Sequence, residues 1–92
     1  MKTSACKISP GCYIPEGNNI IWGPKNTMLD CKDWCRQYAT CKGWTFSFPM
    51  KYCWLKLNAN VWCPSDVENS SWITGTRDCG AEDLSPYQDL VI

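Results

Sequence analysis

Cys31, Cys35 and Cys41 fall within eleven positions, beside Trp34 and Trp44. Cysteines at such density serve one of three chemistries: thiolate ligands for a metal, an activated nucleophile, or covalent crosslinks. Structural zinc usually draws paired cysteines from tight C-x2-C knuckles. The spacing here is C-x3-C-x5-C, and Cys53, Cys63 and Cys79 stand apart. A nucleophilic thiol needs one cysteine singled out by a neighbouring base, whereas this chain has eight, an even number that suits four bridges. It contains no histidine, which removes every Ser-His, Cys-His and His-metal arrangement within the chain. Crosslinking remains. No catalytic residue, cofactor or metal is expected.

Eight cysteines in 92 residues mark a disulfide scaffold, one domain with a core too small to be stable unaided. Oxidised cysteines place the chain in a secreted or extracellular setting. "MKTSACKI" has no apolar run and is not a signal peptide, so one module of a longer secreted protein is expected. No stretch approaches the roughly 20 apolar residues of a membrane span. Asn69-Ser70-Ser71 is a glycosylation sequon, in keeping with secretion. Nine basic residues balance nine acidic ones, which argues against nucleic acid as a partner. The charges are unevenly spread: residues 1 to 62 carry eight Lys/Arg against three Asp/Glu, and residues 63 to 92 carry one against six.

The elements that must position the cysteines follow from periodicity. Segment 6 to 19 is punctuated by Pro10, Gly11, Pro15, Gly17 and Asn18-Asn19 and reads as loop. "IIW" (20 to 22) is a short buried strand, ended by Gly23-Pro24. Thr27 caps a helix from about 28 to 38, with Met28, Cys31, Cys35 and Tyr38 on one face and Lys32, Asp33, Arg36 and Gln37 on the others. A hairpin follows. "WTFSF" (44 to 48) alternates, and a register of Phe48 with Cys53, Phe46 with Leu55 and Trp44 with Leu57 gathers all six on one face. Thr45, Ser47, Tyr52, Trp54 and Lys56 take the other. "SSWITGT" (70 to 76) is a further strand with Trp72 as its buried anchor. The tail from 80 is expected to be linker.

Cys31 and Cys35, one turn apart with parallel Cβ vectors, each need an outside partner. Cys41, just past the helix, can fold back to Cys35. Cys53, on the inner face of the hairpin, can take Cys31. Pairing Cys6 with Cys79 would tie the chain ends together and leave Cys12 with Cys63.

A helix holding C-x3-C, then "CKGWTF", "CWLK" and "SSWITGTRDC", resembles the PAN/apple family. The resemblance covers about Cys6 to Cys79, so residues 6–79 are the expected module, with 1–5 and 80–92 as flanking linkers. It implies an α+β fold, a small antiparallel sheet of about five strands cradling one helix, with helix cysteines joined to the post-helix and hairpin cysteines and first joined to last. Cys12 and Cys63 exceed the family's six-cysteine pattern. The wording is most similar to the apple modules of apicomplexan microneme adhesins, which implies adhesion: a protein or carbohydrate ligand, host-cell attachment, and residence in the microneme before secretion. The alternative is a substrate- or partner-docking module of a secreted protease or growth factor, of the plasma kallikrein or plasminogen type. Candidate ligand-binding residues are Tyr52, Trp54 and Lys56 on the outer face of the hairpin, Lys51 at its tip, and Trp62 in a loop, because aromatic rings stack on sugars and anchor protein interfaces.

Overall fold

The structure is a computed structural model that describes residues 6–15, 17–63 and 71–87. The Asn69 sequon lies outside the described residues.

The first long element is built from its cap inward. Thr27 is extended, and its hydroxyl accepts from the Asp30 backbone N–H at 3.1 Å, satisfying one of the orphan donors of helix α1 (Met28–Arg36). Met28, Cys31, Lys32 and Cys35 form the buried face. Lys32, expected on an outward face, buries its aliphatic stem and reaches out to Asp33 Oδ1 at 2.5 Å. The helix ends two residues sooner than its sequence period suggests. The chain must turn after Arg36 for Cys41 to reach Cys35, only six residues on.

The carbonyls freed by that turn are collected by one guanidinium. Arg77 Nη1 donates to the carbonyls of Cys35 (3.3 Å), Tyr38 and Cys41 (3.1 Å), and Nη2 to that of Arg36 (3.2 Å). A cation here also faces the negative end of the helix dipole. Arg77→Ala is expected to cost about 2 kcal/mol, the scale of a few charge-assisted bonds lost from a half-exposed site. A shift of the urea midpoint measures it. Arg77→Lys should recover less than half, because an ammonium cannot span the fork.

Five strands form one antiparallel sheet in the order β1-β5-β3-β4-β2: β1 (Ile8–Pro10), β2 (Asn19–Pro24), β3 (Gly43–Ser47), β4 (Tyr52–Lys56) and β5 (Trp72–Thr76). The chain is thus a small disulfide-rich α+β domain. β1 arises within the segment expected to be loop. The β3–β4 register is two residues from the expected one: Trp44 meets Leu55 and Phe46 meets Cys53. Phe48 is absorbed into the turn, where its N–H bonds to Ser71 O at 2.8 Å, and Leu57 lies past the strand end, 51 % exposed.

The inner face of the sheet and the buried face of α1 enclose the core. Trp44, Phe46, Cys53, Leu55 and Ile73 meet Met28, Cys31, Cys35 and Cys41 there. Trp72 is not the buried anchor: Ile73 takes that place, and Trp72 stands half-buried on the opposite face. The segment after Cys79, expected to be linker, folds as a short helix α2 (Ala81–Leu84) and a 3-10 turn (Ser85–Tyr87), and Leu84 is fully buried in the core. The Asp83 carboxylate accepts from the Gly80 backbone N–H at 2.8 Å, which holds the start of that turn.

All eight cysteines are bonded: Cys6–Cys79, Cys12–Cys63, Cys31–Cys53 and Cys35–Cys41. Cys31–Cys53 fixes α1 to β4, and Cys35–Cys41 fixes the turn after α1. Cys6–Cys79 joins the approach to β1 to the residues after β5.

Candidate functional site

Residues directly opposite in a ladder share a face. Trp22 opposes Trp54, Trp54 opposes Thr45, Thr45 opposes Thr74, and Thr74 opposes Ser9. That row crosses all five strands on the side away from α1. The next row holds Tyr52, Ser47 and Trp72. The outer face therefore carries four large rings, Trp22, Tyr52, Trp54 and Trp72, at strand positions whose side chains would otherwise stand in water.

A segment of chain lies over part of this face. Gly11, at φ 77°, turns the chain after β1, in a conformation that suits glycine. Its N–H bonds to Trp72 O at 2.8 Å. Residues 12–14 then cross the central strands. Ile14 N–H donates to Thr45 Oγ1 (3.2 Å), and Thr74 Oγ1 donates to Cys12 O (2.8 Å). Thr74 spends its proton on Cys12, so Thr45 must supply the proton between the two hydroxyls, 2.9 Å apart. The Ile14 side chain is buried above Gly43, where an added Cβ would meet Ile14 Cδ1 at 3.0 Å. Tyr13 pairs through both backbone bonds with Trp62 (3.1 and 2.9 Å), beside the Cys12–Cys63 disulfide.

The result is a run of five touching rings. Tyr52 to Trp54 is 5.1 Å between centroids, Trp54 to Trp72 6.1 Å, Trp72 to Tyr13 5.4 Å, and Tyr13 to Trp62 5.4 Å edge-to-face. Between the crossing segment and β4 lies a cleft of about 100 Å³, lined by Tyr13, Ile14, Thr45, Trp54, Lys56 and Trp72.

Of the residues expected to bind a ligand, Tyr52 and Trp54 lie together in this run, half-buried. Lys56 shares their face but is only 2 % exposed, and its ammonium donates to Asn19 Oδ1, so it braces the cleft rather than reaching out of it. Lys51 is exposed at the hairpin tip in a left-handed conformation, φ 52°, and does not line the cleft. Trp62 is 51 % exposed and joins the run only through Tyr13. Tyr13, Ile14 and Trp72 were not anticipated. A wider depression on the helix side, lined by Lys25, Asp30, Asp33, Trp34 and neighbours, has its one large ring covered: Lys25 Nζ sits 4.3 Å from the Trp34 centroid.

No protein-family model matches the chain, and no curated protein matches it. Among the described residues no group of three His, Cys, Asp or Glu side chains is placed to hold a metal, and no helix is long and apolar enough to cross a membrane. Bonding of all eight cysteines is consistent with a secreted or extracellular protein.

Proposed function

We propose that the chain is an extracellular interaction module of the PAN/apple type, and that it binds its ligand through the aromatic outer face of the sheet. The observation that carries this reading is the run of rings from Tyr52 to Trp62 around an open cleft. A disulfide-stapled domain of this size gains stability by sending aromatic rings inward. Rings held on the far side of the sheet are better explained by a surface that recognises something. The type assignment draws support from one helix fixed by disulfides to a hairpin and to the turn after it, together with the five-stranded antiparallel sheet. The adhesin-like wording of "GWTF", "CWLK" and "SSWITGT" makes host-cell attachment by a parasite microneme protein the preferred setting.

Protein and carbohydrate are both ligands for such a face, and the cleft favours protein. A sugar ring needs polar partners for its hydroxyls, and the threonine hydroxyls and lysine ammonium here are already engaged: Thr45 with Ile14 and Thr74, Thr74 with Cys12, Lys56 with Asn19. An apolar side chain entering between Tyr13, Trp54 and Trp72 demands none.

Trp54→Ala is expected to weaken binding of the labelled, fully oxidised domain to vertebrate cell monolayers by about tenfold or more, the loss typical of an aromatic anchor. Gln37→Ala, on the helix side, should leave binding unchanged. Equal binding by wild type and Trp54→Ala would move the site off this face. Strong signal from the wild type on a glycan array would reverse the preference for protein.

A further inference from the structure

The four disulfides differ in access, with Cys6–Cys79 between the two buried bonds and Cys12–Cys63, since Cys6 is partly exposed. Cys31, Cys35, Cys41, Cys53 and Cys79 are fully buried, which closes three of the bonds to solvent at one or both sulfurs. Cys12 is 6 % exposed, and its partner Cys63 is the one cysteine on an exposed residue. Thiol–disulfide exchange begins when a thiolate reaches a sulfur, so rates follow access as well as thiol chemistry.

The two segments joined by this bond are held very differently. The Cys12 side is fastened to the sheet without it: Gly11 N–H to Trp72 O, Ile14 N–H to Thr45 Oγ1, Thr74 Oγ1 to Cys12 O, and the buried Ile14 side chain. Among the described residues, the Cys63 side has little else. Val61, Trp62 and Cys63 are exposed, and their described attachments are the paired Tyr13–Trp62 backbone bonds and one ring contact.

We propose that Cys12–Cys63 is a clasp opened by dithiol reductants, and that opening it releases the Trp62 segment from Tyr13, so that the Tyr13 ring in the cleft lining loses its edge-to-face neighbour while the rest of the domain stays folded. One reductant thiolate attacks Cys63 Sγ, forming a mixed disulfide and expelling Cys12 as a thiolate. Cys12 takes up a proton, and its thiol has Pro10 O 3.5 Å away as an acceptor. The reductant's second thiolate then displaces Cys63, which is protonated in turn. The reductant leaves as its own disulfide, and two electrons and two protons have passed to the domain. The consequence for ligand binding rests on the outer-face reading above. The selectivity of reduction does not.

The test treats the native, fully oxidised protein with stepped dithiothreitol, traps thiols with iodoacetamide and maps the labels by peptide mass. Labels on Cys12 and Cys63 should appear at least about tenfold faster than on the other six, with near-ultraviolet circular dichroism of the core retained. Cys6 and Cys79 labelling first, or all eight cysteines labelling together, overturns the clasp. The double variant Cys12→Ala, Cys63→Ala should fold with three bonds and bind cells about threefold or more weakly than wild type, because the cleft loses pre-organisation. If that variant does not fold, the selectively reduced wild type is used in the same binding assay. Unchanged binding by the opened form, with Trp54→Ala still deleterious, overturns the regulatory step and leaves the site intact. If Trp54→Ala is also silent, the site reading fails.

Discussion

Gly75→Ala should destabilise the domain by about 3 kcal/mol, the upper end of ordinary overpacking costs. Backbone propensity alone argues the other way, since alanine in a strand interior is worth about 0.5–1 kcal/mol over glycine. The steric term wins because of what lies above Gly75. The residue is buried on the inner face, directly opposite Trp44 in the ladder, and the indole folds across it. A Cβ built there would sit 2.3 Å from Trp44 Cζ2, 2.7 Å from Cε2 and 3.0 Å from Cη2. Trp44 is fully buried among Cys31, Cys35, Leu55 and their neighbours, so it has no empty space to retreat into. The three closest atoms all belong to the six-membered ring of the indole. Trp44→Phe should therefore cost less in the Gly75→Ala background than in wild type. It also removes the indole Nε1–H, which is buried without a hydrogen-bond partner. Guanidinium denaturation of the four proteins gives the coupling energy, and additive costs would show that the ring does not occupy the space over Gly75.

The same contact explains why Trp72 misleads. In "WITGT" one parity offers Trp72, Thr74 and Thr76 and the other Ile73 and Gly75. Bulk suggests that tryptophan faces the core. The indole of Trp44 already fills the space over β5, and only the parity with glycine fits beneath it. That constraint is a contact between strands far apart in sequence, and no local period contains it. The hairpin register is obscured for a related reason. A slip of two residues keeps every side chain on its own face, so alternation identifies the faces of Trp44, Phe46, Cys53 and Leu55 but not their partners. The turn decides the register. Lys51 N–H bonds back to Ser47 O at 2.8 Å and Met50 N–H to Ser47 Oγ at 3.3 Å, which closes β3 at Ser47 and takes Phe48 out of the ladder.

The candidate site was half legible. Tyr52 and Trp54 follow from alternation along β4. Tyr13 and Ile14 do not, because a segment between two cysteines gives no sign of which face it will cross. Helix α1 was clear from Thr27 and the Met28, Cys31, Cys35 stripe, a local pattern at helical period. Leu84 was not, since Ala81, Leu84 and Tyr87 in "AEDLSPYQ" recur at a spacing of three over too short a run, broken by Pro86, to tell a docked helix from a linker.

Removing the crosslink between helix and sheet should have the other large effect. The double variant Cys31→Ala, Cys53→Ala is expected to lose about 3–4 kcal/mol on chain entropy alone. The bond spans a sequence separation of 22, which the Cys35–Cys41 bond inside that loop shortens only modestly, to about 17. Cys12–Cys63 is longer, with a separation of 51, but Cys6–Cys79 already brings its two segments together from outside. Its added constraint is correspondingly smaller than its own separation suggests. On chain entropy the two bonds are then comparable, and location makes the difference. Both sulfurs of Cys31–Cys53 are fully buried between α1 and β4, so the double variant also leaves unfilled volume at the centre of the core, whereas Cys12–Cys63 lies at the surface. Urea unfolding of the two double variants under oxidising conditions should therefore place the 31/53 protein well below the 12/63 protein. The reverse order would mean that the domain is held chiefly by the crossing segment on its outer face, and that the α1–β4 crosslink is secondary to it.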